Sequence, residues 1–308
     1  MSAGRTPAVV LLIGAIVLWS GSLSIVSIAV DGSSSGTVTF WRCAIGAIVL
    51  ITWAVVARLR STGSGRVRPR VRGRDWFWTA ISGAGCGAAF LLVAHGMQRV
   101  GSGPAGIVLS SIPGLTMLIA AIERGAPRIR SRQLASLAVG ACAALMLASP
   151  AGGGWSSIGL LTLCCAALSQ AVTNVASGRA LIRLDPLAVS AASMAVASLV
   201  TAPLADFSSI PTGTSLFAII ALGVLPSGVA YVWYFAGVRA LGATTAAFSN
   251  FLVPPVAVFL GVVVLGEVPD ARTLVALVFA IGALWLGLGR RRTRVTLVTS
   301  STTPVISS

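Results

Sequence analysis

The chain has 308 residues, of which 56% are hydrophobic and only 9% charged, and its mean hydropathy is +0.94. Soluble domains carry roughly 25% charged residues, so a soluble globular protein is excluded at the outset. The net charge of +15 comes from 22 basic residues, all of them arginine, against seven acidic ones. No arginine-and-aromatic face or nucleic-acid motif accompanies it, which excludes nucleic acid as the partner.

A hydrocarbon core about 30 Å thick needs roughly 20 helical residues, and lipid tolerates no open sheet edge. Ten apolar stretches meet that length: 8–30, 37–57, 76–96, 103–122 and 133–149, then 157–178, 186–204, 215–238, 243–265 and 271–289. The expected fold class is an all-α integral membrane protein of ten transmembrane helices. Gly, Ala and Ser outweigh Leu in these stretches, as close helix packing requires; Gly83 and Gly87 show the small-xxx-small spacing.

The first stretch follows a single charge, Arg5, and exceeds a signal peptide's apolar core, so a retained first helix is expected. Trp19 lies too deep in it for an interfacial belt, which leaves core or cavity. Arg42 falls inside the second stretch, where an arginine costs about 2.5–3.5 kcal/mol on insertion scales. It must either snorkel outward or face the bundle interior. The segment 58–74, with seven arginines, reads as a topology-setting loop or an anionic-lipid site. His95, the only histidine, ends the third stretch and suits interfacial hydrogen bonding or a proton relay. Trp76, Trp78 and Trp155 sit at stretch edges, as anchors do.

Gln170 and Asn174 stand four apart on one face of the sixth stretch. They could bind a polar solute or tie neighbouring helices. Tyr231 and Tyr234 share a face of the eighth, with Trp233 pointing elsewhere. Asn250 precedes Pro254 by one helical turn and could face a solute or satisfy the carbonyl that proline leaves without a donor. Pro113, Pro226 and Pro254 fall near the middles of their stretches, Pro255 doubling the last break. Such breaks are either static kinks or hinges. The five cysteines all lie in apolar stretches, an odd set with no CxxC pair, and read as small packing residues rather than disulfides or zinc ligands.

The arginines orient the whole. With a cytoplasmic N-terminus, nineteen lie in inner segments and two, Arg99 and Arg272, in outer loops; Arg42 is within a span. That asymmetry places both termini in the cytoplasm of a cell-membrane protein. Aligning the chain on itself at a shift of 141 residues pairs Ala89 with Ala230, Gly96 with Gly237, Gly101 with Gly242 and Pro113 with Pro254. Five helices per half is an odd number, so the halves are expected to cross in opposite directions. The expected division is 1–150 and 151–290, with 291–308 a disordered cytoplasmic tail. Inverted halves of near-equal energy are the basis of alternating access in secondary transporters, with the solute near the midplane.

The run GATTAAFSNFLVPPVAVFLGVVVLGE (242–267) resembles the signature of EamA-type members of the drug/metabolite transporter superfamily. The run GSGPAGIVLSSIPGLTMLIAAIE (101–123) is a shortened copy, LWSGS (18–22) is similar to the family's first-helix Trp-Gly element, and FWR (40–42) matches its second-helix arginine. The copies differ in the distance from Pro113 to Glu123 and from Pro254 to Glu267. The resemblance implies ten helices in two halves and export of amino acids or related amphiphilic metabolites. It also favours an interior Arg42.

No Walker-type phosphate loop, Mg²⁺-holding acidic cluster, GxSxG elbow or HExxH helix occurs, so neither ATP, a cofactor, a metal nor an enzyme activity is expected. The acidic residues all sit in loops or at stretch edges. The expected partners are a small-molecule solute and the lipid bilayer, with room for a homodimer. A solute cavity is expected around Trp19, Arg42, Gln170, Asn174, Tyr231, Tyr234 and Asn250, with Pro113 and Pro254 as conformational elements. The alternative is a non-transporting membrane sensor or assembly protein on the same scaffold.

Overall fold

Every regular element among the described residues is helical, as a backbone without water to satisfy it requires. The computed structural model describes residues 5–60, 72–100, 105, 108–109, 111–122, 130–147, 156–208, 211–253, 255–256, 259 and 271–287. In chain order the helices are α1 (Arg5–Asp31), α2 (Ser35–Arg60), α3 (Gly73–Val100), α4 (Ile112–Ala121), α5 (Ser131–Leu147), α6 (Ser157–Ala180) and α7 (Pro186–Thr201). Then come α8 (Gly213–Leu241), α9 (Ala243–Ala247), which runs on as a 3₁₀ turn over Phe248–Leu252, and α10 (Ala271–Gly287). Five of these, α2, α3, α6, α7 and α8, are long and apolar enough to cross a membrane. Pro254, Glu123, Glu267, Trp155, most of the arginine-rich loop and the tail lie outside the described residues.

Local chemistry sets the helix ends. Asp185 caps α7, its carboxylate accepting from the Leu187 N–H at 2.8 Å, and Pro186 fills the first turn, where its missing donor is not needed. Ser156 caps α6 in the same way. Gly242, at φ +88°, ends α8 in a conformation that an L side chain would resist.

Lipid tails are as apolar as leucine, so close backbone approach and polar bonds, not hydrophobicity, hold such helices together. A Cβ on Gly83 would sit 2.6 Å from the Ser193 carbonyl oxygen, and one on Gly87 3.0 Å from that of Ala197. The small-xxx-small pair therefore lays α3 directly on α7. Helix α3 also packs on α6, α8 on α1 and α2, α2 on α7, α4 on α6 and α9, and α5 on α10. Adding five to each helix number returns all of these pairings except α4–α6, so that α3–α6 becomes α8–α1 and α3–α7 becomes α8–α2. Gly96 meets Leu163 of α6 where Gly237 meets Leu12 of α1, and in both a Cβ would collide.

At one end the Ser215 hydroxyl donates to the Ala29 carbonyl at 2.9 Å, and the Asp206 N–H donates to Thr37 Oγ1 at 2.9 Å. His95 bonds Arg99 at the same end. At the other end Arg183 pairs with Asp75 at 3.6 Å, and Arg179 and Arg132 stack on Trp78 and Trp285. Trp78 is therefore a packed cation–π partner as well as an edge residue.

Residues such as Ile48, Leu199, Phe217 and Trp285 are exposed and form an apolar outer surface, the side turned to lipid. This surface corrects the expectation for the cysteines. Cys43 and Cys86 are buried packing residues, but Cys142, Cys164 and Cys165 are exposed. A thiol is apolar enough to sit in lipid as readily as between helices. Pro113 also differs from expectation: Val108 and Leu109 are helical, Ser111 turns, and α4 restarts at Ile112 with Pro113 in its first turn. It marks an interruption rather than the middle of a continuous helix, because proline fits a first turn without losing a bond.

Candidate functional site

The middle of α8 departs from α-helical geometry over Leu225–Val229, a π-helical turn containing Pro226, Ser227 and Gly228. Proline cannot donate to the preceding turn, and a widened turn is one way to absorb that loss. The turn offers two polar groups to the neighbouring helices. Trp19 of α1 donates its indole N–H to the Pro226 carbonyl at 2.9 Å. Arg42 of α2 donates Nε–H to the Ser227 hydroxyl at 3.1 Å.

Arg42 is buried, with 5% of its surface exposed, and its guanidinium carbon lies 3.9 Å from the centre of the Phe90 ring of α3. The interior position holds and snorkelling does not. One turn further along α8, Tyr231 and Tyr234 both point inward and are almost wholly buried, while Trp233 packs elsewhere, over Gly14 of α1. The Trp19 ring lies 5.3 Å from that of Tyr231 and 4.8 Å from that of Tyr234. Cys86 of α3 donates its thiol to the Tyr231 hydroxyl at 3.0 Å.

Asn174 of α6 is the polar hub. Its Oδ1 accepts from the Tyr234 hydroxyl at 3.2 Å and from Gln170 Nε2 at 3.4 Å, and its Nδ2 donates to Thr116 Oγ1 of α4 at 3.2 Å. An amide paired in this way, by three of its four possible bonds, ties α4, α6 and α8 together. Six of the seven cavity residues expected from sequence thus converge. Asn250 does not join them; it lies half-buried in the 3₁₀ turn after α9, and among the described residues no hydrogen bond ties its side chain to this network.

Sequence reasoning missed Phe90, Thr116, Ser227 and Cys86. Lone hydroxyls and thiols are common in membrane helices and carry no pattern of their own. The usable signal was position: Ser227 follows the mid-span Pro226, and Thr116 follows Pro113 by three.

Two cavities, of about 530 and 550 Å³, open at the end that carries Asp31, Ser33, His95 and Gln98, and neither reaches Trp19, Arg42 or Asn174. Four of the cluster's six polar bonds link a helix before residue 150 to one after it: Trp19 to Pro226, Arg42 to Ser227, Cys86 to Tyr231 and Thr116 to Asn174; the bonds of Asn174 to Tyr234 and Gln170 do not. These residues form a largely buried seam whose polar groups bond one another across it.

The sequence model of the EamA-like transporter family matches residues 6–149 and again residues 157–288. The chain is 29% identical over 295 residues to a probable terminal-alkyne amino-acid exporter of Streptantibioticus cattleyicolor, spanning 92% of this chain and 96% of that protein. It shares its fold with a crystal structure of a protein 24% identical to it, at a TM-score of 0.70 over 92% of this chain and 98% of that one. With apolar helices throughout and two family matches that together span nearly its whole length, the protein is a multi-pass membrane transporter and belongs to the EamA-like transporter family.

Proposed function

We propose that the protein is a secondary transporter that exports amino acids or related amphiphilic metabolites by alternating access. Its two five-helix halves would be threaded in opposite senses, with both termini in the cytoplasm. The observation that carries this reading is the seam: aromatic and polar residues, buried or half-buried within apolar helices and bonded to one another across two groups of helices. Opening either end of that seam would turn Trp19, Arg42, Gln170, Asn174, Tyr231 and Tyr234 towards a solute, and the bonds they now make to one another could be exchanged for bonds to it.

The twofold match of the family model, and helix pairings that survive the shift by five, support the two-half division. The arginine asymmetry supports the orientation. The exporter relative supports direction and solute class. Pro113 at an interrupted helix suits the conformational role, as would Pro254 in its counterpart.

Purified protein in liposomes loaded with a panel of amino acids and drug-like cations tests the reading. Movement of at least one amino acid, reduced in Asn174→Ala and Gln170→Ala beyond any loss of folded protein, is expected. Folded protein that moves no solute would overturn it.

A further inference from the structure

Arg42 carries a fixed positive charge within the membrane bundle, with no carboxylate paired to it among the described residues. Its partners there are the neutral Ser227 hydroxyl and the face of Phe90. A guanidinium has five donors in a planar fork, and one hydroxyl occupies only one of them. A buried charge without a counter-ion is costly, and such groups inside membranes mark functional sites.

The rest of the seam is neutral: an indole, two phenols, two amides, hydroxyls and a thiol. Among the described residues, a solute entering here therefore meets one positive charge and no negative one. The chemistry that completes the site is an anionic group able to take the fork in two parallel bonds, which a carboxylate does. An α-amino group would find only neutral acceptors and ring faces, such as Asn174 Oδ1 and the Trp19 ring. An apolar side chain would find Trp19, Tyr231, Tyr234 and Phe90.

We infer that Arg42 is the carboxylate-recognition residue of the solute site, and that the transporter selects carboxylate-bearing solutes and rejects organic cations of the same shape. This rests on the transport reading above. The arrangement also explains a fold-level oddity: an arginine tolerated deep in an apolar helix because each solute it binds supplies the missing counter-charge. Ser227, on the π-helical turn, holds the guanidinium in place while the site is empty.

The test uses full-length protein in liposomes and three apolar side chains, those of leucine, phenylalanine and propargylglycine. Each is supplied as the free acid, the primary amide and the decarboxylated amine. Wild type should move the acids at least about tenfold faster than the amides or amines, the scale set by a charge-assisted bidentate contact. Arg42→Gln should bring the acid-to-amide ratio to within about twofold of unity, and Arg42→Lys should retain part of it because the charge survives without the fork. If Arg42→Gln does not fold, the wild-type ratio and Arg42→Lys carry the test. Wild type that moves amides and amines as fast as acids, or a ratio unchanged in Arg42→Gln, would overturn the inference and leave the transport reading standing. Wild type that moves none of the nine compounds would overturn both.

Discussion

Asn174→Ala is the perturbation whose cost can be worked out most fully from the structure. The amide makes three bonds, at 3.2, 3.2 and 3.4 Å, to Tyr234, Thr116 and Gln170. Side-chain bonds between membrane helices average about 0.6 kcal/mol in double-mutant cycles, because the unfolded chain in lipid also finds partners. Loss of all three amounts to about 1–2 kcal/mol, and the small void adds to it. Unfolding in mixed micelles by titration with SDS measures this directly. A cycle with Tyr234→Phe should return a coupling of about 0.6 kcal/mol, and a cycle with Thr116→Ala a similar one. If Asn174→Ala unfolds with wild type, or if both couplings vanish, the account of Asn174 as the knot between α4, α6 and α8 fails.

The remaining expectations follow from the packing. Gly83→Leu should abolish most folded protein, since even its Cβ meets the Ser193 carbonyl at 2.6 Å, whereas Gly21→Ala, with nothing within 4 Å, should be silent in a size-exclusion profile. Asp75→Asn should cost less than about 1 kcal/mol in the same SDS titration. Arg183 is partly exposed, and an amide can still accept the Arg72 N–H that Asp75 now takes at 2.9 Å. In detergent, N-ethylmaleimide counted by intact mass should modify Cys142, Cys164 and Cys165 while the protein is folded, and Cys43 and Cys86 only after unfolding. Trp19→Phe should lose about 1 kcal/mol, because the Pro226 carbonyl is left without its indole donor.

Much of this was legible in the sequence because lipid imposes strict rules. The membrane class and the long helices follow from length and hydropathy, and Gly83 and Gly87 announced close approach by spacing alone. Residues expensive to bury, Arg42 and Asn174, could be singled out one by one, since each needs a partner. The partners themselves could not be read. Ser227, Thr116 and Cys86 are cheap to bury, and only the crossing of α8 with α2, α4 with α6 and α3 with α8 brings them to their mates. Asn250 was chosen by its distance from a proline, a local argument that tertiary placement overrode. Pro113 and the three exposed cysteines illustrate a related limit: composition says that a residue can lie in a membrane helix, but not whether it starts that helix or faces lipid.

The central claim, that a solute crosses through the seam, is tested most directly by Ser227→Cys in a cysteine-free background, with a membrane-impermeant thiol reagent added in turn to each face of sealed vesicles. The account predicts labelling from both faces, slowed by a transported amino acid. An introduced thiol that stays unlabelled from either side while transport proceeds would place the pathway elsewhere.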